Sequence, residues 1–126
     1  MPRSTPQQSA IANVLHKSGR PLSPGEVLAG ARGAVPGLSL ATVYRALKRL
    51  QEDGEIARVE IPGQPPRYES KAAAAHHHHH FVCRVCDRVF DIEGCAAGLE
   101  SLGPAGFVVE SHEVVLYGLC RSCTKG

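Results

Sequence analysis

Four of the five cysteines stand as two C-x-x-C pairs, Cys83/Cys86 and Cys120/Cys123, and this spacing constrains the chain more than any other feature. Each pair can present two thiolates on one tight turn, and two such turns complete a tetrahedral shell of four sulfurs for structural zinc. The 33 residues from Asp87 to Leu119 are enough for a small subdomain that one ion ties together. A staple of this kind suits the composition. Of 126 residues only six are aromatic, three Phe and three Tyr, and none is Trp, so any core is thin. The first fifteen residues are polar and no stretch is long and apolar enough to span a membrane, so a cytoplasmic chain is expected, with cysteines as metal ligands rather than disulfides. Cys95 is left over, either a small buried apolar residue or a fifth soft ligand.

The first pair is preceded by a histidine run, 76-HHHHHFVCRVC-86. The run is internal and follows an alanine tract, which argues against a purification tag. Segments 80–84, 88–92 and 107–119 are β-rich, and a short helix is expected from Cys95 to Leu102 before the Gly103-Pro104 break. If residues 76–80 are extended, His76, His78 and His80 point one way and His77 and His79 the other, so one run can feed two sites. Asp91 and Glu69 are candidate oxygen ligands, and His112 is a lone histidine on an expected strand.

The front of the chain has a different character. Residues 1–71 carry ten Lys/Arg against six Asp/Glu, whereas residues 72–126 carry four against six. A basic front half suits nucleic acid. Thr5, Pro6 and Gln8 mark a helix start, followed by Ile11, Val14 and Leu15 at helical spacing and a stop at Gly19 to Pro21. The stretch 23-SPGE-26 repeats that grammar, with Val27, Leu28 and Ala31 as the buried stripe of a second helix. A third helix opens at Ser39, with Leu40, Val43, Leu47 and Leu50 on one face. Thr42, Arg45, Lys48 and Arg49 crowd the other, and Tyr44 lies at the margin. Residues 56–61 and 67–70 form two short strands around the turn 62-PGQPP-66. Three helices and a hairpin make the winged helix-turn-helix plan, whose third helix can enter the DNA major groove. The plain alternative is a solvated helix face. The stretch 70-SKAAAA-75 reads as a hinge, or as one turn of helix.

Together these motifs resemble the ferric uptake regulator family of bacterial metal-responsive repressors. The matching pieces are ATVYR at 41–45, RYE at 67–69, HHHHxxC into C-x-x-C at 77–86, and SHEVVLYGLCRSC at 111–123. The resemblance implies an α+β chain: a winged-helix DNA-binding domain at 1–70, a hinge at 71–75 and a small α/β, metal-binding dimerisation domain with a four-cysteine zinc site at 76–126. It implies a homodimer on a double-stranded, palindromic DNA operator, repressing when loaded with a regulatory metal. Tyr44 and Arg45 would meet bases and backbone, with Ser39 and Thr42 near phosphates. Cys83, Cys86, Cys120 and Cys123 would hold structural zinc. His78, His80, Asp91 and Glu69 match the hinge sensor site, and His77, His79 and His112 match the histidines, or their near equivalents, of a second site. The fourth ligand of that site falls at Cys95 or Gly98, with Glu100 nearby. In this reading a metal spanning wing, connector and C-terminal half fixes the angle between the halves.

Two departures bear on the metal. Many iron- and peroxide-sensing members carry a histidine near residues 20–22, where this chain has Arg-Pro-Leu. A thiolate at Cys95 and a lower coordination number both lean toward Zn2+, with Fe2+ next and manganese- or peroxide-sensing as further alternatives. No small-molecule substrate is expected. A metalloenzyme would need an open metal position beside a general base, such as the Glu of H-E-x-x-H, and none is set there. A metal chaperone or storage module would explain the histidines but would not need residues 1–61.

Overall fold

The computed structural model describes residues 5–74, 79–95 and 97–124. His76, His77 and His78 therefore lie outside the described residues. The chain divides into two compact units, Met1–His76 and His77–Gly126.

The first unit opens with helix α1 (Pro6–Ser18), whose N-cap Thr5 accepts from the Gln8 N–H at 3.0 Å and whose C-cap Gly19 takes the left-handed conformation. Helix α2 (Pro24–Ala31) has a full capping box between Ser23 and Glu26. Helix α3 (Leu40–Glu52) is capped by Ser39. Strands β1 (Ile56–Val59) and β2 (Arg67–Ser70) pair antiparallel, with Ile56 opposite Ser70. Tyr68 also exchanges both backbone hydrogen bonds with Leu22, at 2.8 Å each, which fastens the hairpin to the entry of α2. One turn of helix, α4 (Lys71–Ala74), follows.

The core of this unit gathers Ile11, Leu15, Val27, Val43, Leu47 and Leu50, all essentially inaccessible, with Ile56 and Tyr68 from the hairpin. Burying one such aliphatic side chain contributes about 1.5–3 kcal/mol before entropy is counted. Leu40, expected in the buried stripe, is instead 42% exposed. It sits at the first helical position, beyond the reach of the core, and Ala46 takes a buried place instead.

The second unit is a three-stranded sheet of order β4-β3-β5. Strand β3 (His79–Cys83) pairs antiparallel with β4 (Val89–Ile92) and parallel with β5 (Val115–Gly118). The expected strand over 107–119 shrinks to Val115–Gly118, so His112 lies in an irregular segment rather than on a strand. The expected helix from Cys95 to Leu102 shrinks to a 3-10 turn, Leu99–Leu102. Gly94 and Gly98, both at positive φ, break the helical path ahead of it. Helix α5 (Arg121–Thr124) closes the described chain. Among the described residues, the buried apolar side chains here are Val82 and Val89 beside Cys83 and Cys120, the thin core that the composition implies. Among the described residues no helix is long and apolar enough to cross a membrane.

Candidate metal centres and nucleic-acid interface

The four paired cysteines converge, with all four sulfurs within 4.8 Å of one another. Cys83 ends β3 and Cys86 lies in the turn toward β4, while Cys120 immediately precedes α5 and Cys123 lies within it. Cys86 Sγ and Cys120 Sγ stand 3.8 Å apart. A tetrahedron with Zn–S bonds of about 2.3 Å has an edge of about 3.8 Å, so the spacing fits zinc. Backbone N–H groups of Cys86 and Cys120 donate toward Cys83 and hold its thiol down to about 6. The Cys123 backbone N–H likewise lowers Cys120. The sulfurs of Cys83 and Cys120 push Cys123 up to about 12. Backbone dipoles thus support part of the negative charge, and full ionisation of the set requires a cation among the sulfurs. Asp87 completes the first turn in the left-handed region, at φ 63°, with its N–H on the Cys83 carbonyl at 2.9 Å.

Strand alternation separates His79 from His80. His80 Nε2 lies 3.3 Å from Asp91 Oδ1, its cross-strand partner in register. On the other face, His79 is 3% exposed and joins Cys95 and His112 in a second cluster. Cys95 Sγ is 3.3 Å from His79 Nε2 and 2.8 Å from His112 Nε2, and the two rings lie 5.1 Å apart. The Val114 N–H donates to His79 Nδ1 at 3.0 Å. The alternation of the histidine run foreshadowed this division, but the contact with Val114 had no signal in the sequence. His77 and His78 fall outside the described residues. Glu69 sits on β2 in the first unit, opposite Ala57.

In the first unit, α3 exposes Tyr44, Arg45, Lys48 and Arg49. At its start Ser39 Oγ and Thr42 Oγ1 share a 3.0 Å hydrogen bond, and Arg45 donates to Thr42 Oγ1 at 3.1 Å. Arg49 meets Asp53 at 3.5 Å, an exposed i,i+4 pair that leaves its guanidinium accessible. A basic, hydroxyl-bearing helix start of this kind can meet phosphate oxygens and base edges.

Sequence reasoning missed one ionic clasp. Glu26 receives Arg20 at 2.7 Å and Arg67 at 2.8 Å, and its Oε1 also accepts the Ser23 N–H at 3.0 Å. Burial pushes the Glu26 carboxyl up, but the Ser23 N–H and the two guanidiniums outweigh it and hold it below the usual carboxylate value. Glu26 alone had a legible partner, Ser23, because that contact is local.

Comparison with known proteins converges on one lineage. The model of the "Ferric uptake regulator family" matches residues 2–117. The chain is similar to the transcriptional regulator FurA of Mycobacterium tuberculosis, 34% identical over 104 residues, covering 79% of this chain and 69% of the relative. It is 27% identical over 128 residues to the peroxide operon regulator of Bacillus subtilis, covering 98% and 85%. Among solved structures, a zinc-bound manganese uptake regulator superposes with a TM-score of 0.78 at 27% identity, over 94% of this chain and 91% of that one. With the winged helix, the four-cysteine cluster and a match spanning most of its length, the chain belongs to the ferric uptake regulator family of metal-responsive transcriptional regulators.

Proposed function

We propose that this regulator is a zinc-responsive repressor that binds a double-stranded DNA operator as a homodimer in the cytoplasm. The observation that carries the zinc reading is the donor chemistry of the second cluster, a thiol between two imidazoles. Soft sulfur with imidazole favours zinc over manganese and ferrous iron. Arg20 supports the same reading. It belongs to the Arg-Pro-Leu stretch at 20–22, near which many iron- and peroxide-sensing members carry a histidine, and it is committed to Glu26.

Residues 1–70 serve as the DNA-binding domain, 71–75 as the hinge and 76–126 as the metal-binding dimerisation domain. Ser39 and Thr42 address phosphates, and Tyr44, Arg45, Lys48 and Arg49 address bases and backbone. Two copies related by a two-fold axis would bring two α3 helices to a palindromic site. The exposed Leu102, Phe107 and Val108, at 78%, 72% and 86%, supply apolar surface suited to a second copy. Zinc held by Cys83, Cys86, Cys120 and Cys123 supplies the cross-link that stabilises the small C-terminal half. Glu69, His78, His80 and Asp91 form the sensor set that the family resemblance assigns. In sequence Glu69 precedes residues 71–75, and His78, His80 and Asp91 follow them. A zinc storage module accounts for the donors but not for the basic winged helix.

The test is binding to duplexes enriched from a random pool by the zinc-loaded protein. Protein retaining one zinc per chain should bind only after further zinc is added, with a steep salt dependence. His80→Ala or Asp91→Ala should abolish the response to added zinc. Binding that is indifferent to added metal, or that responds better to Mn2+ or Fe2+, overturns the assignment.

A further inference from the structure

We propose that Arg67 and Glu26 are positioning residues for metal-dependent DNA binding: their ion pair locks the strand that carries Glu69 to helix α2, so that the state of Glu69 is read out at α3. The inference rests on the reading of Glu69 as a member of the sensor set and deepens it by naming the contact that carries its state to the DNA-reading helix.

Glu69 lies on a strand held along both edges. All four residues of β2 are buried, Glu69 to 4% exposure. On one edge β2 pairs with β1, which sets Glu69 opposite Ala57. On the other, Tyr68 exchanges both backbone hydrogen bonds with Leu22. Just beyond the strand, the Lys71 N–H donates to the Glu55 carbonyl at 3.0 Å. A two-stranded hairpin this short is marginal by itself, and one bridge to Leu22 is a pivot rather than a weld. Arg67 supplies the second point of attachment. Its guanidinium donates to Glu26 Oε1 at 2.8 Å, 41 residues away, and to Gln64 Oε1 at 3.4 Å. Arg67 and Glu69 are two apart on the strand, so fixing the first fixes the path of the second.

Both attachments meet α2 at its start. Leu22 directly precedes the N-cap Ser23, and Glu26 is the third helical residue, bound back to the Ser23 N–H. Helix α2 in turn shares a buried core with α3, through Val27 and Ala31 on one side and Val43 and Leu47 on the other. The route from Glu69 to the helix that exposes Tyr44, Arg45, Lys48 and Arg49 is thus short and made of discrete, buried contacts. Arg20 provides an internal control. It gives the other oxygen of Glu26 a bond of similar length, 2.7 Å, but it lies six residues before Glu26 and makes no part of the link to β2.

The experiment uses the full chain with its four-cysteine zinc retained. Affinity for a selected operator duplex is measured with and without added Zn2+, and the ratio of the two is the coupling factor. By reciprocity the operator tightens zinc binding by the same factor, which competition with a chromophoric chelator reads independently. Arg67→Met and Glu26→Gln should each lower the factor by on the order of 10-fold. Arg20→Gln should leave it within about 2-fold, although it too removes a guanidinium from the carboxylate. A role in stability alone predicts the same factor in all three. In protein without added zinc, amide exchange at Leu22 and Tyr68 should quicken about 10-fold in Arg67→Met, while the core amides of α1 and α3 keep their rates. Unchanged exchange at Leu22 and Tyr68 overturns the lock. Faster exchange with an unchanged coupling factor overturns the positioning role, and so does an equal loss in Arg20→Gln. A native protein whose operator binding ignores zinc refutes the sensor reading itself, and the proposal falls with it; a native response that all three variants keep in full refutes the proposal alone.

Discussion

Replacing Glu26 tests whether the ionic clasp anchors the hairpin to helix α2. One carboxylate oxygen takes Arg67 at 2.8 Å and the Ser23 N–H at 3.0 Å, and the other takes Arg20 at 2.7 Å. Truncation to alanine leaves Arg67, whose side chain is only 10% exposed, without its carboxylate. Breaking a fully buried pair from one side costs about 3–5 kcal/mol. Glu26 is 26% exposed, so water compensates in part. We expect a loss of about 2–3 kcal/mol for Glu26→Ala. Glu26→Gln keeps the shape and the capping acceptor but not the charge, and should cost about 1 kcal/mol. The pH dependence has a defined sign. The folded carboxyl titrates below its ordinary value of 4.5, so the ionised form stabilises the fold above that pH, and the benefit fades as pH falls through the folded value. The difference between wild type and Glu26→Gln should therefore shrink on acidification below 4.5. Urea unfolding followed by far-ultraviolet circular dichroism reads this unit, because α1, α2 and α3 belong to it. A difference that stays constant from neutral pH to about pH 3.5, or a Glu26→Ala cost under about 0.5 kcal/mol, would refute the clasp.

Three further outcomes follow from local geometry. Gly30→Ala places a Cβ 2.9 Å from Val14 Cγ1, where α1 meets α2, and should cost about 1–3 kcal/mol in thermal unfolding, largely recovered when Val14→Ala is added. At the left-handed Asp87, Asp87→Gly should be neutral or stabilising, whereas Asp87→Val should cost about 1–2 kcal/mol and quicken zinc loss to a chelator. Cys86→Ser should lower retained zinc below one per chain and open the second unit to limited proteolysis, while the helical signal of the first unit persists, because its core contains none of the four cysteines.

What could be read from the sequence was local. The box between Ser23 and Glu26, the stop at Gly19, and the two C-x-x-C turns each depend on residues within four positions. The segment 107–119 misled because its alternation reads as a continuous strand. A strand forms where a partner accepts its backbone, and β3 meets only Val115 to Gly118 in parallel register. Its neighbour misled for a different reason. Cys95 to Leu102 has helical composition, but Gly94 and Gly98 at positive φ leave only the 3-10 turn. The Arg67–Glu26 contact spans 41 residues and could not be inferred before β2 was placed against α2.

The histidine run shows where legibility ends. Alternation along β3 predicts that His79 and His80 serve different faces, and they do: His80 meets Asp91 and His79 meets Cys95. Alternation says nothing about which ring nitrogen carries the proton. That is decided by the Val114 N–H, 35 residues away and brought alongside by the parallel pairing of β3 with β5. Residue type and spacing therefore locate a metal cluster, whereas the backbone contact that orients His79 within it depends on strand register.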